Sequence, residues 1–152
     1  MIKAIAVDMD GTFLNSQSTF DRPLFEKVYA QLQAKDVEFV VASGNPIYQL
    51  VEKRFPKEAD GMAFVAENGV ELIDRGQEIY CGQFTKEQVE TLVAFFRSIP
   101  GGHLIISGRH HAFAFADEDP LFVKRVQPHY IHMQQINSLA DIDDPVVKFM
   151  MD

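Results

Sequence analysis

Residues 2–15 read IKAIAVDMDGTFLN. A short apolar run stops at two aspartates placed one residue apart, and a glycine and a threonine follow. The run 2–7 suits a strand buried on both faces, and Gly11 permits a sharp turn after it. In an extended segment Asp8 and Asp10 project to the same side, because side-chain direction alternates with period two. Two carboxylates that close repel unless one takes up a proton or a cation joins them. The pair is open to three readings at this point: a turn cap, a pair of metal ligands, or a nucleophile with its acid.

The flanking sequence supplies a frame. Residues 21–35, DRPLFEKVYAQLQAK, read as a helix with Asp21 as N-cap, Pro23 in the first turn, and Leu24, Val28 and Leu32 as one apolar stripe. Residues 37–42, VEFVVA, form a second run ending in Ser43-Gly44-Asn45-Pro46. A helix over 46–54 and a third run, 62–66, ending in Glu67-Asn68-Gly69, complete the series. Strand–helix–strand–helix–strand with short connections is the pattern of a parallel sheet with crossover helices. Sites of such sheets lie outside the carboxyl ends of the strands. Asp8–Thr12, Ser43–Asn45 and Glu67–Gly69 all fall there.

Beyond Gly69 the pattern changes. ELIDRGQEIYCG reads as a hairpin, and 85–98 as a helix with Thr85 as N-cap and Gln88 completing a capping box. HLIIS and HAFAF read as strands around Gly108-Arg109, a helix is expected near 118–126, and VVKFMM, 146–151, is a last apolar run. This half reads as α+β with antiparallel pairs, and the boundary is placed so that 1–82 form one domain and 83–152 another.

Among 152 residues, 47% apolar and 24% charged content allow a packed core. No run reads as a membrane span and no secretory pattern opens the sequence, so no membrane partner is expected. One cysteine, Cys81, fits a reduced cytoplasmic setting and a packed role. A net charge of −8 argues against nucleic-acid binding, and an anionic substrate would then need a locally positive site such as a bound cation. Mg²⁺, a hard ion that takes oxygen ligands and bridges to phosphate, suits the aspartates. A carboxylate held there can attack phosphorus, while its neighbour protonates the departing alkoxide and later deprotonates water.

V-D-M-D-G-T-F-L resembles the first motif of the haloacid dehalogenase-like phosphatases, and V-V-A-S-G-N their second. F-V-A-E-N-G-V resembles a segment of the Cof-type sugar-phosphatase branch, and the second half is similar in layout to that branch's C2-type cap. The resemblance implies the N-terminal part of a Rossmann-like α/β core followed by an incomplete α+β cap. It implies Asp8 as the nucleophile and a Mg²⁺ ligand, and Asp10 as the general acid/base with its backbone carbonyl on the metal. Gly11, Thr12, Ser43 and Gly44 would hold the transferring phosphoryl. Asn45 stands where many Cof-type members carry arginine, which leaves a substrate contact there, and with it the leaving-group preference, open. Glu67 and Asn68 match a segment near the site, with an ordinary turn as the competing reading. The implied activity is Mg²⁺-dependent hydrolysis of a small phosphorylated metabolite, a sugar phosphate, through an aspartyl-phosphate. The 152 residues alone are expected to lack full activity, and the alternatives are a phosphotransferase or phosphomutase with the same nucleophile, or a catalytically inactive truncated chain. No protein partner is proposed by the sequence.

Two family motifs, a later lysine and a second acidic pair, are not found. Lys148 reads as a strand residue, and Asp141, Asp143 and Asp144 as a solvated loop. The expectation is a chain cut inside the cap, with strand one left as an edge. His129-x-x-His132 has helical spacing without a third ligand and is not read as a metal site. Arg109-His110-His111 reads as a hairpin tip, either solvated or facing substrate. Phe95, Phe96, Phe113 and Phe115 read as core.

Overall fold

The three apolar runs at the start of the chain become parallel neighbours in the computed structural model, which describes residues 2–152. They are β1 (Ala4–Asp8), β2 (Glu38–Ala42) and β3 (Ala63–Ala66). An antiparallel hairpin, β4 (Glu71–Asp74) and β5 (Gln77–Cys81), extends the sheet in the order β1-β2-β3-β4-β5. The fold is α/β, with two sheets divided between two compact units. The first unit runs to Asn45 and resumes over Phe55–Cys81, and the second comprises Pro46–Arg54 with Gly82–Asp152.

In the first unit β1 is the sheet edge, and most of its side chains are exposed rather than covered on both faces. Helix α1 (Arg22–Ala34) starts where its caps dictate, with the Asp21 carboxylate accepting the Leu24 N–H at 2.9 Å. Its buried face differs from the expected stripe. Leu24 and Val28 are 57% and 43% exposed, whereas Phe25 and Tyr29 are buried and Leu32 is partly buried. Two aromatic rings offer far more area to bury than a leucine and a valine, so the helix turns that face inward. Phe25 lies 5.5 Å from Phe39 and 5.4 Å from Phe55, ring centre to ring centre, and Phe13 and Phe20 close the cluster. Arg22 caps it, with its guanidinium 4.7 Å above Phe20 and hydrogen-bonded to both Glu58 oxygens at 2.9 and 3.1 Å.

The second unit sandwiches a sheet of order β8-β7-β6-β9 between helices. Its strands are β6 (Leu104–Gly108), β7 (Ala112–Phe115), β8 (Met133–Ile136) and β9 (Val146–Met151). Period-two alternation divides the two cores. Leu104, Ile106, Phe113 and Phe115 pack with Val89 and Val93 of α2 (Lys86–Arg97), while Ile105, Ala112 and Ala114 pack with Phe122 of α3 (Pro120–Val126). The Thr85–Gln88 capping box forms, with bonds of 2.8 and 3.2 Å. β8 was not anticipated, and it pairs with β7 in parallel, so the sheet is not purely antiparallel. Phe95, expected in the core, is exposed, because on a one-sided helix only its neighbour Phe96 can reach the sheet. Lys148 lies in β9.

The acidic loop also differs from expectation. Asp141 is exposed, and the Ser138 and Asn137 amides hold its carboxyl below the usual range. Asp144, however, is buried. Its carboxylate accepts the His110 and His111 amides at 2.6 and 2.8 Å and the His110 ring Nδ1–H at 2.8 Å, pinning the hairpin tip. Gly108 makes room for it: a Cβ there would sit 2.5 Å from Asp144 Oδ2. His132 pairs with Glu52 at 2.8 Å, and Gln49 and Lys53 donate to the Pro128 carbonyl, which ties the wide helical turn Gln49–Arg54 into this unit.

In the first unit Phe55 is fully buried against four rings, those of Phe13, Phe20, Phe25 and Phe64. Phe55→Ala is expected to destabilise that unit by about 3–5 kcal/mol, read from denaturant midpoints. In the second unit burial alone would raise the Glu118 carboxyl, but hydrogen bonds from His103 and the Leu104 and Asp119 amides hold it below its ordinary value. Its contribution to stability is therefore complete above the ordinary glutamate range and fades as pH falls through the lowered value. Glu118→Gln is expected to flatten that acid limb in thermal melts across pH.

Candidate active site

Three loops meet at the carboxyl ends of the parallel strands. The ladder pairs Asp8 with Ala42 and Ala42 with Val65, so the chain leaves all three strands at one level. After β1 it makes a wide turn, Met9–Phe13, closed by the Leu14 N–H on the Met9 carbonyl at 2.9 Å. Met9 is buried and anchors the turn, while Asp8, Asp10, Gly11 and Thr12 stand exposed around it. Gly11 takes φ +76°, a left-handed conformation that glycine adopts without penalty.

After β2 the Ser43 N–H bonds the Val65 carbonyl at 2.9 Å, and the Ser43 carbonyl accepts from Asn68 at 3.1 Å. The Asn45 carbonyl accepts the Glu67 N–H at 3.1 Å. These bonds lock the second loop to the third. In the third loop Glu67 and Asn68 both adopt left-handed backbone, with φ of 51° and 60°, and Gly69 follows at 91°. For non-glycine residues that conformation costs roughly 1–2 kcal/mol each, with asparagine tolerating it best. Gly44 is held against this loop: a Cβ on it would meet Asn68 Oδ1 at 2.7 Å. The Glu67 side chain is 1% exposed and points into the unit rather than outward.

The direct side-chain link across the loops is made by Asn45. Its Nδ2 donates to Asp10 Oδ2 at 2.7 Å and to Ser43 Oγ at 3.0 Å, and its backbone N–H donates to the same Oγ at 3.1 Å. The sequence leaves a substrate contact at Asn45 open; in the structure its amide is turned toward two other candidate residues. Asp8 and Thr12 stand on the same turn as Asp10, and Gly44 lies between Ser43 and Asn45. Among the described residues no group of three or more His, Cys, Asp or Glu side chains is arranged to hold a metal. Among the described residues no helix is long and apolar enough to cross a membrane.

The sheet with its strand-end loops defines a class, and the sequence pattern of the haloacid dehalogenase-like hydrolases matches residues 5–152. The chain belongs to that family. It is 36% identical over 148 residues to 5-amino-6-(5-phospho-D-ribitylamino)uracil phosphatase YbjI of Escherichia coli (strain K12), covering 97% of this chain and 54% of that protein. It also superposes on a crystal structure from Streptococcus mutans UA159 with a TM-score of 0.92 at 32% identity, covering 99% of this chain and 57% of that one. A sugar phosphatase of subclass IIB shares the fold, with a TM-score of 0.72 at 20% identity over 97% of this chain and 57% of its own. The chain thus spans about half the length of the relatives it matches.

The left-handed pair is open to a direct test. Asn68→Val, β-branched at φ 60°, is expected to lower stability by about 1–2 kcal/mol, while Asn68→Gly leaves it within about 1 kcal/mol of wild type, both measured by urea unfolding.

Proposed function

We propose that this chain carries the nucleophile-bearing portion of a phosphoric monoester hydrolase acting on small phosphorylated metabolites of the sugar-phosphate class. One observation carries the reading: Asp8, Asp10 and Ser43 lie at the carboxyl ends of adjacent parallel strands, with Asp10 and Ser43 joined through Asn45. The family and its phosphatase relatives support it.

In this reading an Asp8 carboxylate oxygen attacks phosphorus, the bond from phosphorus to the ester oxygen breaks, and that oxygen takes the electron pair and a proton from Asp10. Asp10, now ionised, then removes a proton from the water that attacks the aspartyl-phosphate, which restores Asp8 and releases phosphate. Backbone N–H groups of the Gly11–Thr12 turn, the Ser43 hydroxyl and the Gly44 amide hold the phosphoryl oxygens. The Asp8 carboxylate and the Asp10 backbone carbonyl, hard oxygen donors on an exposed turn, would hold Mg²⁺. When bound, the ion neutralises phosphate charge next to the nucleophile.

The test is covalent as well as kinetic. Incubation with acetyl phosphate and Mg²⁺, followed by acid quench and peptide mass analysis, is expected to place a phosphoryl group on Asp8. Asp8→Asn is expected to abolish that label and to reduce 4-nitrophenyl phosphate turnover on the order of 10³-fold or more. A label that persists in Asp8→Asn, or that falls on another residue, would overturn the assignment.

A further inference from the structure

The Asn45 contacts assign more than a link between loops. Its two Nδ2 hydrogens are both committed, one to Asp10 Oδ2 at 2.7 Å and one to Ser43 Oγ at 3.0 Å. The donor orientation is fixed by chemistry, because the opposite amide orientation would set its carbonyl oxygen against a carboxylate oxygen. We propose that Asn45 is a positioning residue that decides which oxygen of Asp10 carries the transferred proton and which atom of Ser43 faces a bound anion. The proposal rests on reading Asp10 as the general acid/base and Ser43 as a phosphoryl contact.

Consider Ser43 first. A hydroxyl has one proton to donate and two lone pairs with which to accept. Asn45 fills both acceptor positions, from its backbone N–H at 3.1 Å and its side chain at 3.0 Å. Only the proton remains, so the hydroxyl can act toward a third group solely as a donor. A serine committed in this way selects an oxyanion over a donor ligand and needs no rotation when the anion arrives.

Asp10 receives the complementary constraint. Its Oδ2 accepts from Asn45, which makes Oδ1 the better seat for the transferable proton. A carboxyl on a short side chain in an exposed turn otherwise samples several rotamers and can present either oxygen. An amide is suited to this task because it cannot itself exchange a proton with the carboxyl. It anchors Asp10 without competing for the proton being moved. An arginine here would bring a fixed positive charge, whereas asparagine brings donors with none.

Two measurements on this chain test the proposal, with Asn45→Leu preserving volume and Asn45→Ala as a second variant should the first perturb the loop. By NMR, the three-bond couplings of the Asp10 Cβ protons are expected to report one χ1 rotamer in the wild type and averaged rotamers in both variants. The two Asn45 Nδ2 protons are expected to be well separated, one moving in Asp10→Ala and the other in Ser43→Ala. Kinetically, an alkyl phosphate needs its leaving oxygen protonated, whereas 4-nitrophenyl phosphate does not. The variants are expected to lose about 30–100-fold in kcat on the alkyl ester and under about threefold on the aryl ester, with any rise in KM, which reports the Ser43 contact, shared by both. A merely structural role would lower both substrates together. Unchanged Asp10 couplings, or equal losses of kcat on the two esters, would overturn the proposal. The NMR measurement decides it even where turnover is too slow to divide between esters. Turnover insensitive to Asp8→Asn would refute the hydrolase reading instead, and leaves the coupling result to stand for or against Asn45.

Discussion

The parallel register of β1, β2 and β3 is the constraint on which the candidate site depends. Asp8 lies opposite Ala42, and Ala42 opposite Val65, so three separate loops begin at the same height. A slip of one residue would invert every side chain along the strand concerned and carry the first aspartate to the other face of the sheet. The aromatic cluster beneath, where Phe13, Phe25, Phe39 and Phe55 meet, makes such a slip costly by tying the turn after β1 to the helix and to β2. Hydrophobic packing therefore sets the positions of polar groups that take no part in it.

Above that register, precision comes from backbone hydrogen bonds between the second and third loops. Ser43 and Asn45 each accept an N–H from the strained Asn68 and Glu67 pair. Strain of this kind persists only where surrounding contacts over-determine it. Here the contacts are the Gly44 approach and the ladder itself, and the stored cost serves to hold Ser43 in place.

Much of this arrangement is legible in the sequence. The apolar runs ending in polar clusters give the parallel order, and Asp21, Thr85 and Gln88 mark the helix starts through local chemistry alone. What escapes sequence reading depends on partners distant in the chain. Leu24 and Val28 form as good a stripe as Phe25 and Tyr29 until Phe55 is known to lie beneath the second pair. Met133–Ile136 carries two glutamines and no alternating signal, so only its pairing with β7 makes it a strand. Asp144 reads as one more loop acid because its amide donors lie more than thirty residues away. Likewise the Ser-Gly-Asn spacing shows that Asn45 is near the candidate site, but not that its amide faces Asp10, 35 residues earlier.

The position of β1 has a consequence for how the molecule behaves in company. A strand of Ala, Ile and Val at a sheet margin offers a row of backbone donors and acceptors and an apolar stripe to any extended segment that approaches. Lys3 stands beside it, paired with Asp36 at 3.4 Å and largely exposed. A single screened surface pair is a weak deterrent. Among the described residues, the strand that delivers Asp8 to its place is thus also the margin of its sheet.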